Sequence, residues 1–137
     1  MSRAQRDKGK AGERELAALL TEITGHDVRR KVRQHDGDHD LDLPGWAVEC
    51  KRHKAAGRAE IGAWWRQTVA QATQAAPVLF YRLDRGNWRA VWAPDGDPAH
   101  PVEADPATWW RLLQRVLICR IPPGGNLMPD VATVNGE

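Results

Sequence analysis

The stretch His39-Asp40-Leu41-Asp42-Leu43-Pro44-Gly45-Trp46-Ala47-Val48-Glu49-Cys50-Lys51-Arg52 decides how the rest of the chain is read. Two runs of short-period residues flank a Pro-Gly pair, the pattern of a hairpin with a tight turn. The expected strands run from His39 to Leu43 and from Trp46 to Arg52. Side chains alternate faces along a strand, so Ala47, Glu49 and Lys51 share one face while Trp46, Val48 and Cys50 share the other. A two-residue turn at Pro44-Gly45 pairs Leu43 with Trp46 and, stepping outward, Asp42 with Ala47 and Asp40 with Glu49. A four-residue loop leaves that pairing intact, whereas a three-residue loop breaks it.

Directly opposed side chains have Cβ atoms roughly 4.5–5.5 Å apart, and like charges there destabilise a sheet unless something compensates them. A divalent cation is the natural compensator. Mg²⁺ takes hard oxygen ligands, usually only one or two carboxylates, and completes its shell with water and phosphate. Lys51, about 6.6 Å along the same face, is placed to orient a water or to neutralise charge developing on a phosphate. These are the components of metal-assisted phosphodiester hydrolysis. An EF-hand opening at Asp36, Asp38 and Asp40 is excluded, because Leu41 stands where that loop needs Gly and Ala47 where it needs Glu. Zinc is disfavoured too: His26, His35, His39 and His53 form no Cys/His pair of the usual spacing with Cys50.

Outward from the hairpin, Leu16, Leu19, Leu20 and Ile23 recur at helical spacing, predicting a helix from Gly9 to Thr24 capped by Gly25. Val28 to Val32 reads as a short strand, followed by a polar loop over 34–38. Residues 61–76 read as a second helix closed by Pro77. Val78 to Tyr81 and Trp88 to Trp92 read as strands joined by a turn at Asp84-Arg85-Gly86-Asn87. Asp105-Pro106 signals the start of a third helix, carried by Trp109 to Ile118. The order α-β-β-β-α-β-β-α implies an α/β fold, a mixed central sheet flanked by helices.

A chain of 137 residues with 42% hydrophobic and 28% charged residues has the profile of one folded domain rather than of disorder. That domain is expected over 1–121, with a loose tail over 122–137. No signal peptide and no membrane span is expected, and Cys50 and Cys119 suggest neither a disulfide framework nor a metal clip; a reducing cytoplasm fits. Net charge is +2, distributed as +4, −5, +5 and −2 over residues 1–33, 34–50, 51–83 and 84–137. The basic runs on either side of the acidic island, Arg29, Arg30, Lys31 and Arg33, then Arg52 and Lys54, are candidate contacts to DNA phosphates.

The segment Lys8-Gly9-Lys10-Ala11-Gly12-Glu13-Arg14-Glu15-Leu16, then Asp40, then Val48-Glu49-Cys50-Lys51, resembles the PD-(D/E)xK nuclease superfamily. It is most similar to archaeal-type Holliday junction resolvases and their small phage relatives. The resemblance extends through Trp64-Trp65-Arg66-Gln67 and Pro77 to Arg82, covering roughly residues 8–92. It implies a restriction-endonuclease-like core and a Mg²⁺-dependent endodeoxyribonuclease, with Mn²⁺ as substitute, acting on branched or four-way DNA in recombination. Such a protein would work as a homodimer, in the host cytoplasm if phage-encoded. Carried over by residue, Glu13 is the helix-borne carboxylate near the metal, Asp40 and Glu49 are metal ligands with the Cys50 carbonyl, and Lys51 is the catalytic lysine. His39 replaces the usual Pro, and Asp42 remains a rival to Asp40. Helical geometry does not choose between Glu13 and Glu15, since both border the apolar stripe.

Gln67, one turn from Gln71, is a candidate supporting residue on the second helix. In the pairs Trp64-Trp65 and Trp109-Trp110, one member is expected to face the core and its neighbour a dimer interface or stacked bases. Two other readings compete: a nicking or restriction-like nuclease on the same fold, and a non-catalytic DNA-binding or assembly protein. Five acids and no base across 34–50 oppose the second, because they would repel DNA unless a metal bridged them.

Overall fold

Ser2 starts the first helix: its Oγ accepts the Gln5 N–H at 3.1 Å, so one of the orphan donors of the first turn is satisfied. In the computed structural model, which describes residues 2–31 and 40–119, helix α1 therefore spans Arg3–Thr24 and begins six residues before the expected start. The apolar stripe marks only the part of α1 that packs; Gly12, Leu16, Ala17 and Leu20 are its buried residues. Gly25 ends it as anticipated, with φ 79° and its N–H on the Thr21 carbonyl. The expected strand end at Val32, Arg33, the loop over 34–38, His39 and the tail over 122–137 lie outside the described residues.

Six strands form one sheet in chain order: β1 (Arg29–Arg30), β2 (Leu41–Leu43), β3 (Trp46–His53), β4 (Ala76–Leu83), β5 (Arg89–Trp92) and β6 (Val102–Ala104). The β3–β4 pair is parallel and the others are antiparallel, giving the mixed sheet expected of this α/β order. A parallel pair needs a crossover, which helix α2 (Arg58–Gln71) provides. This helix is shorter than expected at its end, because Ala76, preceding Pro77, is extended and gives its N–H to the Gly45 carbonyl at 3.1 Å. Strand β6 was not anticipated. Only three residues long, it is held by side chains as much as by pattern: Glu103 accepts from Tyr81 Oη at 3.0 Å and from Arg89 Nε at 2.9 Å.

α1 and α2 cover opposite faces of the sheet. Alternation along β3 puts Arg52 against α1 and His53 against α2, where its ring lies 4.7 Å from that of Trp64. Trp64 and Trp65 are both buried with Leu79, Tyr81 and Val91, correcting the expectation that one of the two faces outward. α2 is enclosed on two sides, and Trp65 Nε1 donates to the Pro98 carbonyl at 2.9 Å. The second compact unit, Ala107–Glu137, carries α3 (Pro106–Cys119) beyond its first residue, with Trp109 and Trp110 rings 5.6 Å apart. Pro106 takes the first helical position, as the Asp-Pro signal implies. Among the described residues no helix is long and apolar enough to cross a membrane.

The approach of α1 to β3 sets a packing limit. A Cβ on Gly12 would stand 2.7 Å from the Cβ of Arg52, which sits next to backbone and cannot swing away. Gly12→Ala should therefore destabilise the protein by about 1–3 kcal/mol despite alanine's better helix propensity. Urea unfolding checks this, and a variant as stable as wild type would show that the contact is not close.

Candidate active site

The hairpin pairs in the expected register: Leu43 faces Trp46, Asp42 faces Ala47 and Leu41 faces Val48. One step further the ladder changes. The Asp40 N–H bonds to the Val48 carbonyl at 3.0 Å, so Asp40 and Leu41 both face Val48 and a bulge ends β2. The expected regular Asp40–Glu49 pair is thus replaced by a different contact. Asp40 Oδ2 accepts the backbone N–H of Cys50 at 2.8 Å. The Asp40 carbonyl in turn accepts from Lys31 N at 3.1 Å. A side chain fixed in this way is pre-organised before any ligand arrives.

Asp40 and Glu49 are 5% and 6% exposed. Lys51, two residues along the same face as Glu49, places Nζ 3.3 Å from Glu49 Oε2. Because β2 pairs only with Trp46 to Val48, the rest of β3 runs on beyond it among the described residues. There a cleft of about 260 Å³ opens, walled by Cys50, Lys51, Arg52 and His53 of β3 and by Gln5, Arg6, Gly9, Lys10 and Glu13 of α1.

Glu13 and Glu15, equivalent by helical geometry, separate in the structure. Glu13 faces the cleft and holds Arg30 Nε at 2.9 Å. Glu15 accepts from Arg82 at 2.6 Å and from Trp88 Nε1 at 2.8 Å, tying α1 to β4 and to the start of β5. The Cys50 thiol is pushed well above its ordinary range, chiefly by burial and then by the negative charge of Asp40, Glu13 and Glu49, with Lys51 opposing. Three carboxylates therefore surround Cys50, whose sulfur stays protonated and is a poor thiolate ligand.

Among the described residues no three His, Cys, Asp or Glu side chains converge into a metal cage. The available donors, two buried carboxylates flanking the Cys50 peptide, fit Mg²⁺ or Mn²⁺, which need few protein ligands, and not zinc. Asp42 is exposed and lies across from Ala47 on one side and Arg29 on the other. Gln67 is exposed on α2 and does not line the cleft. Of the basic candidates, Arg29 bonds to Asp27, Arg30 to Glu13 and Arg52 to Asp84, while Lys31 and Lys54 are exposed.

His53 was missed as a cleft residue; it lines the cleft at the end of β3 while its ring packs on Trp64 of α2. Its imidazole is held below its ordinary value, first by burial and next by Lys51. Arg6 was missed because the helix was expected to start at Gly9, and Lys10, inside the expected helix, was not singled out as a site residue. The chain matches a family model described as "Phage putative PDDEXK endonuclease" over residues 4–95. A search of curated proteins finds no match.

Glu15 gives a pH test of the α1 clamp. Its carboxyl is held below the ordinary 4.5, chiefly by the Arg82 hydrogen bond, against which burial acts, with the Trp88 bond adding to the lowering. A depressed folded-state value stabilises above the unfolded value and is lost as pH falls through the folded one. Thermal melts from pH 6 down to 3 should lose less Tm in Glu15→Gln than in wild type. Parallel curves would mean that Glu15 is not coupled to folding.

Proposed function

Because the chain belongs to the phage PDDEXK endonuclease family, we propose that it is a divalent-metal-dependent DNA endonuclease acting on branched DNA in the manner of a Holliday junction resolvase. The observation that supports this reading most is the Glu49–Lys51 pair, 3.3 Å apart on one strand end beside the locked Asp40 carboxylate. Burying two acids at one point is costly unless cations compensate them, and Lys51 supplies one such cation.

Asp40 and Glu49 would hold Mg²⁺ or Mn²⁺, which supplies Lewis acidity toward the scissile phosphate and a more acidic water. Lys51 is anchored by Glu49 so that its ammonium points at a fixed place, where it donates hydrogen bonds to the attacking water or to a phosphate oxygen gaining charge. Glu13, across the cleft, adds a carboxylate that orients water once Arg30 turns to phosphate. The burial of Asp40 and Glu49 keeps bulk water from screening these charges. Lys31 and Lys54, exposed beside the site, and Arg29 and Arg30 are the proposed phosphate contacts of this region, with Arg33 continuing the run. Symmetric cutting of two strands calls for a C₂ homodimer. Its interface is not built on Trp64 or Trp65, which are buried.

The test is a cleavage assay on four-way junction, fork, linear duplex and single strand, in Mg²⁺, Mn²⁺, Ca²⁺ and EDTA. Junction cleavage in Mg²⁺ or Mn²⁺ alone, with binding but no turnover in Ca²⁺, is expected. Lys51→Ala should lose on the order of 10²-fold or more in rate at unchanged Tm, and Asp42→Asn should stay near wild type. Full activity in EDTA would refute the metal-dependent reading, and equal cutting of linear duplex would replace the resolvase by a restriction-like enzyme.

A further inference from the structure

Gly9 sits in the interior of α1, where glycine weakens a helix relative to alanine. Packing does not explain it. A Cβ built on Gly9 meets no atom within 4 Å, in contrast to Gly12 one turn further on. The bare backbone at Gly9 faces the cleft, in the row formed by Gln5, Gly9 and Glu13 at one-turn spacing. The neighbouring row on the same face is Arg6 and Lys10, also one turn apart, and both line the same cleft. A helix that carries two cations beside one position without a side chain offers a ligand both charge and, at Gly9, close approach to its backbone.

We propose that this face of α1, Arg6-Gly9-Lys10, is the seat of the DNA strand being cut: its sugar-phosphate backbone lies against Gly9, with phosphates on Arg6 and Lys10. The assignment rests on the nuclease reading and adds to it a binding surface on the helix wall, opposite Lys51. The chemistry is that of a polyanion. The cation spacing of about 5–6 Å at one-turn separation is within reach of successive phosphates once long side chains adjust.

The experiment measures fluorescence anisotropy of labelled four-way junction and linear duplex in Ca²⁺ across a salt series, with thermal melts of every variant. Gly9→Ala should raise Tm, by roughly 2–6 °C, and yet weaken DNA binding about tenfold, a pairing of signs that a merely structural glycine does not give. Arg6→Gln with Lys10→Gln should weaken binding at least tenfold and flatten the log–log salt slope by about 2. Arg6→Lys with Lys10→Arg should restore most of the affinity. The inference is overturned if Gly9→Ala raises Tm with unchanged affinity and the double variant keeps the wild-type slope, or if the wild type binds neither DNA. A wild type that binds with these properties but never cleaves in Mg²⁺ or Mn²⁺ overturns the catalytic reading and leaves the α1 surface standing.

Discussion

The hydrogen bond from the Cys50 N–H to the Asp40 carboxylate, 2.8 Å long and buried, is the contact on which the site depends. A hydrogen bond to a charged group is worth about 1.5–3 kcal/mol, and an unmet buried N–H costs a similar amount. Asp40 is thereby held at its amide, its carbonyl and its carboxylate at once. The bulge it makes ends β2 early, and among the described residues the end of β3 faces α1 across a cleft rather than a further strand on that side. A regular ladder through Asp40 and Glu49 would have set the two carboxylates side by side. The bulge instead turns one of them along the strand toward Cys50.

The elements around the hairpin hold that geometry by different means. α1 closes on β3 because Gly12 allows it. Its clamps are ionic: Glu15 with Arg82, and Lys8 and Arg52 with Asp84. Partly exposed pairs of this kind contribute little each, but they fix the angle at which α1 presents Glu13. On the opposite face α2 uses apolar bulk, with Trp64 and Trp65 over Leu79, Tyr81 and Val91. One wall of the cleft is thus held by ionic contacts, while the strand that forms the other is backed by the apolar packing of α2.

What was legible in the sequence follows from how local each signal is. The Pro44-Gly45 turn sets the hairpin register through nearest neighbours, and Gly25 and Pro106 mark helix ends through backbone chemistry alone. The start of α1 was hidden because Arg3 to Lys10 makes no apolar stripe; only the Ser2 cap and tertiary packing extend the helix there. β6 was hidden because three residues carry too little pattern, and Glu103 joins the sheet through Tyr81 and Arg89, which are distant in sequence. Glu13 and Glu15 could be told apart only by what lies opposite them. The Asp40 bulge is likewise a product of the assembled strands, since nothing in the alternation of polar and apolar residues announces it.

The central claim is that this hairpin holds a divalent cation with two carboxylates and sets a lysine beside it without using that lysine as a ligand. Titration of the protein with Mn²⁺, followed by electron paramagnetic resonance of the free ion, tests it most directly. Wild type and Lys51→Ala should bind Mn²⁺ with similar affinity, while Asp40→Asn and Glu49→Gln, checked by their melting curves, should lose at least tenfold. Binding unchanged in both carboxylate variants, or binding lost in Asp42→Asn instead, would contradict the account.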